Sequence, residues 1–167
     1  MSKFPIRSII FITCMLSSII SVSTTRAIEV QIPAVEGRSG QTINVPVIID
    51  ETDNLAGIVL VMSYDKDTLM FKKSSKTEHT GEFMHVTNDK IPGKLNVVMA
   101  SPKGISGKGF PIINLTFGIK SGIKEKKNTQ ISISEVQLMS DKLKEEKGGI
   151  NIKPITILPE ETKAASK

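Results

Sequence analysis

A chain of 167 residues with 22 Lys and Arg against 17 Asp and Glu carries a formal charge of +5. Much of that excess sits at one end: Lys3, Arg7 and Arg26 lie in the N-terminal segment, and beyond it 19 basic residues face 17 acidic ones, a balance of +2. With no Trp and few aromatics, that balance excludes the basic, aromatic-interleaved stripe of a nucleic-acid-binding surface.

Residues 1–27 have the layout of a secretory signal peptide. Lys3 and Arg7 make a positive start, an apolar run spans Ile9 to Val22, and Thr25-Arg26-Ala27 places small residues where a signal peptidase reads. A membrane anchor is the competing reading, but a span needs about 20 predominantly apolar residues, and Ser17, Ser18, Ser21, Ser23, Thr24 and Thr25 interrupt this run. The only cysteine, Cys14, lies inside the segment, and Ile12-Thr13 before it does not suit lipid attachment. The expected product is secreted, periplasmic or at the cell surface, monomeric alone, with no disulfide, no thiolate chemistry and no membrane contact after signal removal.

From Ile28 onward apolar residues recur with period two: Ile28, Val30, Ile32; Ile43, Val45, Val47, Ile49; Leu95, Val97; Ile113, Leu115, Phe117, Ile119; Ile131, Ile133; then Ile150, Ile152, Ile155, Ile157. Turn formers separate these runs at Glu36–Gly40, Asp50–Asn54, Pro92-Gly93, Gly104–Gly109, Ser121-Gly122 and Gly148-Gly149. Short alternating strands with such punctuation predict an antiparallel β-sandwich or barrel. Asp141 to Lys147, charged on all sides, predicts a solvated loop or hairpin tip rather than a helix. The expected organisation is a signal segment over 1–27, one β-sandwich domain over 28–158, and a flexible charged tail over 159–167.

Residue types that carry catalysis do not assemble into a pattern. His79 and His85 are six apart in a polar stretch, a spacing that fits no helical metal motif. Asp50, Glu51 and Asp53 fail as a calcium loop, because Leu55 stands where the turn glycine belongs and Val61 where the last carboxylate belongs. No serine sits in a Gly-x-Ser-x-Gly elbow, and Gly104–Gly109 lacks the strand-to-helix setting of a phosphate loop. Beyond the signal segment there are one Tyr and four Phe, with Tyr64, Phe110 and Phe117 at or beside core positions, too few to build a sugar-stacking platform. The expectation is no catalysis and no metal on this chain.

The order of the punctuation is more specific than any single motif. Val30-x-Ile32-Pro33 is followed by Gly37 through Gly40, Val45-Pro46-Val47, Asn54-Leu55-Ala56-Gly57, and Tyr64-Asp65 with Leu69. Then come Gly81-x-Phe83, Pro92-Gly93, Ala100-Ser101, Gly104-x-Ser106-Gly107-x-Gly109 and Leu115-Thr116-Phe117. From Val30 to Ile157 this set resembles the cohesin domain, the receptor module of cellulosome scaffoldins. The resemblance implies an all-β jelly-roll sandwich of about nine strands, similar also to carbohydrate-binding modules. It further implies a non-catalytic module that binds a dockerin-containing protein, commonly a polysaccharide-degrading enzyme, with the calcium held on the dockerin. Gly40 and Gly57 would occupy tight backbone positions, Pro46 a sheet edge, and Asp65 the start of a turn.

The stretch Asn54 to Asp65 is where the site is expected. Its centre, Ile58 to Met62, is apolar on both alternating faces, whereas a strand with one wet face should alternate. Parity puts Ile58, Leu60, Met62 and Tyr64 on one face, and Gly57, Val59, Val61 and Ser63 on the other. The resemblance makes the first face core and the second the surface offered to dockerin, where some family members carry Asn and Asp at the positions of Gly57 and Val59. Ala100 to Gly104 resembles the end of a second strand on that sheet, which adds Met99, Ser101 and Lys103 to the expected site. Two other readings stand beside it: a carbohydrate-binding sandwich, and a cell-surface structural domain that pairs with its own copies.

Overall fold

The computed structural model describes residues 27–146 and 148–160. The signal segment up to Arg26, with Cys14, and the tail from Glu161 onward lie outside the described residues. Eleven strands occur among the described residues: β1 (Ile28–Ile32), β2 (Val35–Arg38), β3 (Thr42–Tyr64), β4 (Leu69–Lys76), β5 (Met84–Asn88), β6 (Lys94–Ile119), β7 (Lys127–Thr129), β8 (Ile131–Ser140), β9 (Glu145–Glu146), β10 (Gly148–Ile152) and β11 (Ile155–Leu158). They contain no helix. The all-β sandwich expected from the period-two pattern is what the chain forms.

Two long strands organise it. β3, of 23 residues, and β6, of 26, run antiparallel from Thr42 opposite Gly118 to Ser63 opposite Lys94. Their first meeting, Thr42–Ile49 against Phe110–Gly118, forms one layer with β1, β10 and β4. Their second, Gly57–Ser63 against Lys94–Ala100, forms the other with β8, β9 and β5. A small third sheet, β2-β11-β7, flanks them. The count exceeds nine because short ladders such as the two-residue β9 and three-residue β7 add to it.

Between the layers, the two clusters expected as turns are bends within continuous strands. Glu51 pairs with Lys108, Thr52 with Gly107 and Leu55 with Ile105, with register shifts that let the ladder fold over. Gly104 permits the closest approach: a Cβ there would lie 2.4 Å from the carbonyl carbon of Asn54. Side chains brace the same bend, with Ser106 Oγ donating to Asp53 Oδ1 (2.8 Å) and accepting from the Asn54 amide (2.8 Å). Lys108 Nζ pairs with Glu51 Oε1 at 2.7 Å.

Alternation sends one face of every main strand into a single core. Val30, Ile32, Val45, Val47, Ile49, Leu60, Val97, Leu115, Phe117, Ile155 and Ile157 are all fully buried. Full burial of one such side chain stabilises by about 1.5–3 kcal/mol, so this cluster is the main source of stability among the described residues. The half-buried Tyr64 ring meets Phe117 edge to face at 5.1 Å. Ile150 departs from the pattern: it is 46% exposed, because β10 is an edge strand paired in parallel with β1. Pro46 lies within β3, but on the stretch of that strand that pairs with β6 alone, so its missing N–H falls at a local sheet edge. Of the loop and the hairpin tip expected here, the chain forms the hairpin tip, at Asp141 and Lys142 between β8 and β9.

Candidate interaction surface

The second half of β3 settles what its double-apolar sequence means. Ile58, Leu60 and Met62 are buried, at no more than 1% exposure, whereas Gly57, Val59 and Val61 are half-buried and Ser63 is exposed. One face is core. The other is the outside of a four-stranded sheet in the order β8-β3-β6-β5.

Register lays this outer face out in rows. Met139, Gly57, Ala100 and Met84 stand side by side across the four strands. The next row is Gln137, Val59, Val98 and Val86, followed by Glu135, Val61, Asn96 and Asn88. Ser63 and Lys94 close the end. The centre is therefore aliphatic and the margin polar or charged. Met84 is 75% exposed, Val86 65% and Val98 45%, a concentration of large apolar side chains in water that has to be accounted for. Gly57 makes room for Met139, whose Cβ would lie 3.2 Å from a Cβ at Gly57.

The outside of the opposite layer is different. There the rows read Thr42 with Gly118 and Met70, Asn44 with Thr116 and Lys73, and Pro46 with Asn114 and Ser75. Thr116 Oγ1 donates to Asn44 Oδ1 at 2.9 Å and Lys72 Nζ to Thr42 Oγ1 at 2.6 Å, so these polar groups satisfy one another and water does the rest. Met70, 55% exposed, is the large apolar side chain in these rows, whereas the β8-β3-β6-β5 face gathers three such side chains in adjacent rows.

The structure brings Gly57, Val59, Val61 and Ser63 together on the apolar face and moves the expected β6 residues off it. Met99 is 1% exposed and belongs to the core, because the parity of Leu95 and Val97 continues one step further. Ser101 follows that parity and is half-buried, its Oγ accepting from the Lys103 amide at 3.2 Å. Ser101 and Lys103 line a cleft against the 78–83 loop rather than the rows. The β6 residues that do reach the face are Asn96, Val98 and Ala100, and β5 adds Met84 and Val86. Extending the Leu95/Val97 alternation to Met99, and reading Met84-x-Val86-x-Asn88 as a strand, would have found them.

The side chains with chemical potential have structural partners. Asp50 Oδ1 accepts from the Glu29 amide at 2.7 Å, and no group of three His, Cys, Asp or Glu among the described residues could hold a metal ion. His79 stacks on Phe110, ring centroids 4.4 Å apart. His85 projects inward from β5, its Nε2 2.8 Å from Thr87 Oγ1 and 3.0 Å from Ser74 Oγ, tying β5 to β4. Burial, aided by the nearby Lys76 charge, pushes its pKa down, which favours the neutral ring.

The family model for the cohesin domain matches residues 28–153. Among curated proteins no sequence relative matches. Among solved structures, a non-cellulosomal cohesin from the hyperthermophilic archaeon Archaeoglobus fulgidus aligns with a TM-score of 0.69 at 18% identity, over 84% of this chain and 96% of that one. The sixth cohesin of scaffoldin B from Acetivibrio cellulolyticus, solved in complex with a Cel5 dockerin variant, aligns with a TM-score of 0.69 at 20% identity, over 81% and 100%. A cohesin from a type I cohesin–dockerin complex of Clostridium thermocellum aligns with a TM-score of 0.68 at 17% identity, over 80% and 95%.

Proposed function

The chain belongs to the cohesin domain family, and on that premise we propose that it is a secreted, non-catalytic docking module that captures a dockerin-bearing protein through the outer face of β8-β3-β6-β5. The observation that carries the reading is the contrast between the two outer faces. One is a largely polar sheet on which Met70 is the exposed large apolar side chain, and the other gathers Met84, Val86 and Val98 in water in adjacent rows with polar neighbours at the rim. Interfaces concentrate their energy in such apolar centres ringed by polar groups. Solved relatives of this fold were captured with dockerins, which supports the partner class.

In this reading the chain supplies a preformed rigid surface and the partner supplies the calcium. The carboxylates at the bend of β3 are spent on bracing: Glu51 holds Lys108, and Asp53 holds Ser106. Secretion through the N-terminal segment would place the module where polysaccharide-degrading enzymes act. Valine where some relatives carry polar residues favours a role outside a standard cellulosome, as in the archaeal neighbour described as non-cellulosomal.

Immobilised chain exposed to the secreted proteins of its source, with and without a calcium chelator, tests the proposal. Capture of proteins whose sequences contain a dockerin, released by the chelator, is the expected result. Retention on insoluble polysaccharide without any protein partner, or recovery of the chain's own copies alone, would overturn it.

A further inference from the structure

We propose that the cleft at the start of β1 is the seat of the chain's own mature N-terminus, an α-ammonium created at Ile28 when the signal segment is removed. The premise is cleavage after Ala27, expected from the small residues Thr25 and Ala27. Hydrolysis of the Ala27–Ile28 bond consumes one water: Ala27 departs as a carboxylate, and Ile28 keeps its nitrogen as an ammonium. The cleft, of about 370 Å³, is walled by Ala27 and Ile28 themselves, by Asp50 to Asp53 of β3 and by Glu146 of β9. Four of these wall residues are acidic and none is basic, so the wall favours a cation. Thr52 adds an independent requirement. It is 6% exposed, and its Oγ1 is the buried side-chain oxygen without a hydrogen-bond partner among the described residues. A buried hydroxyl left unpaired is unfavourable, and an ammonium in this cleft brings donors for it.

β1 brings the new terminus to this place without slack. Ile28 is the first residue of the strand, packs against the core and pairs with Gly148 of β10, while the fully buried Val30 and Ile32 anchor the strand from inside. The Glu29 amide donates to Asp50 Oδ1 at 2.7 Å. One residue of extended chain spans about 3.3–3.6 Å, so the Ile28 nitrogen stands within about 6 Å of that carboxylate. Before cleavage this nitrogen is an uncharged amide; afterwards it is a cation on a strand that folding has already ordered, so little further entropy is lost in holding it. The carboxylates keep their bracing contacts, Glu51 with Lys108, Asp53 with Ser106, and Glu146 with Lys144 at 3.7 Å. A carboxylate has about four acceptor sites, and one partner does not exhaust them. Among the described residues the charged groups around the terminus are thus Glu29 on β1, Asp50, Glu51 and Asp53 on β3, Lys108 on β6, and Lys144 and Glu146 at β9. Signal removal then completes the fold: the mature chain gains a contact that the precursor lacks.

The test compares the mature chain, Ile28 to Lys167, with the same chain acetylated only at its α-amino group, each with and without Glu146→Gln. The intact mass of chain secreted through its own signal segment fixes where it begins, and a start other than Ile28 overturns the proposal. Thermal midpoints are then read at pH 7 and pH 10. An α-amino group titrates at about 7.7–8.0 in an unfolded chain, and carboxylates around it raise the folded value. A group raised on folding contributes stability that is fully present below its unfolded pKa and is lost as pH rises through the folded one. The acetylated chain should therefore melt at least about 3 °C below the free-amine chain at pH 7, with most of that gap closed at pH 10. Glu146→Gln should lower the midpoint of the free-amine chain and leave that of the acetylated chain within about 1 °C. Equal midpoints of the two forms at pH 7, a gap unchanged at pH 10, or an equal lowering of both forms by Glu146→Gln overturns the proposal.

Discussion

Val59 on β3 stands directly opposite Val98 on β6, and both face outward, while their neighbours Leu60 and Val97 pair on the core side with no exposure at all. The same two strands thus present aliphatic side chains to the interior and to water. Cross-strand neighbours on a sheet face touch at Cβ separations of about 4.5–5.5 Å, so Val59, Val98 and the flanking Val86 form one continuous surface rather than scattered exposed residues.

The inward half of that arrangement predicts a large stability effect. Leu60→Ala removes a fully buried side chain and should cost about 2–5 kcal/mol in urea unfolding, through lost burial and the cavity left behind. Val59→Ala should cost much less, since Val59 is already half-exposed. Parent-like stability of the Leu60 variant would show that the faces are exchanged.

The bend between the layers predicts a second, backbone effect. Gly104→Ala would place a Cβ 2.4–2.5 Å from the Asn54 backbone, and the rigid ladder on both sides leaves little room to relax. The expected loss is about 1–3 kcal/mol, the usual cost of overpacking, read as a lower thermal midpoint. Gly109, with φ of +63° and nothing within 4 Å of where a Cβ would stand, should accept Asn, which tolerates that conformation. Equal effects from the two substitutions would contradict the close approach at Gly104.

Acid should find a weak point at Asp65. A hydrogen bond from Thr68, and then the neighbouring Lys127, hold its carboxyl at about 2 against an ordinary 3.8. A carboxyl depressed on folding contributes stability above its unfolded pKa and loses it as pH falls through the folded value. The loss therefore falls between about pH 4 and pH 2. Asp65→Asn should be less stable than the parent at neutral pH and lose less over that interval; parallel pH profiles of unfolding midpoint would contradict the assignment.

Chelation separates the chain from its partner. With its bend carboxylates engaged by Lys108, Ser106 and the Glu29 amide, the chain alone should keep its thermal midpoint within about 2 °C when a calcium chelator is added, a shift worth well under 1 kcal/mol at this size. Dockerin capture should be lost under the same conditions. A large drop in the midpoint of the chain alone would place a structural cation on it.

How much is legible in the sequence depends on the kind of information each feature needs. Period-two alternation specifies β1, the halves of β3 and β6, β8 and β11, because burial of one face is a local property of a strand. Ordered punctuation identifies the family. Alternation does not reveal that Asp50–Asn54 and Gly104–Gly109 pair with each other, since that pairing links residues some 50 positions apart and only the folded ladder brings them together. The parity of Val59 is legible because Tyr64 and the buried neighbours anchor it. Met99 is misplaced when a family position is carried onto a strand whose own alternation already points it inward. β5 escapes detection because Met84, Val86 and Asn88 alternate outward and are flanked by His85 and Thr87, polar residues turned inward to meet Ser74.

The most direct measurement is the affinity of Val59→Asp for a purified dockerin-bearing partner, by calorimetric titration, with the far-ultraviolet spectrum and thermal midpoint of the free variant recorded alongside. A carboxylate at the centre of the patch would be buried unpaired on association. The account predicts a folded variant that binds at least about tenfold more weakly, a loss of about 1.4 kcal/mol or more, while Lys142→Asp at the β8–β9 tip binds like the parent. A Val59→Asp variant that folds and binds with parental affinity would contradict the claim that this sheet face is the docking surface.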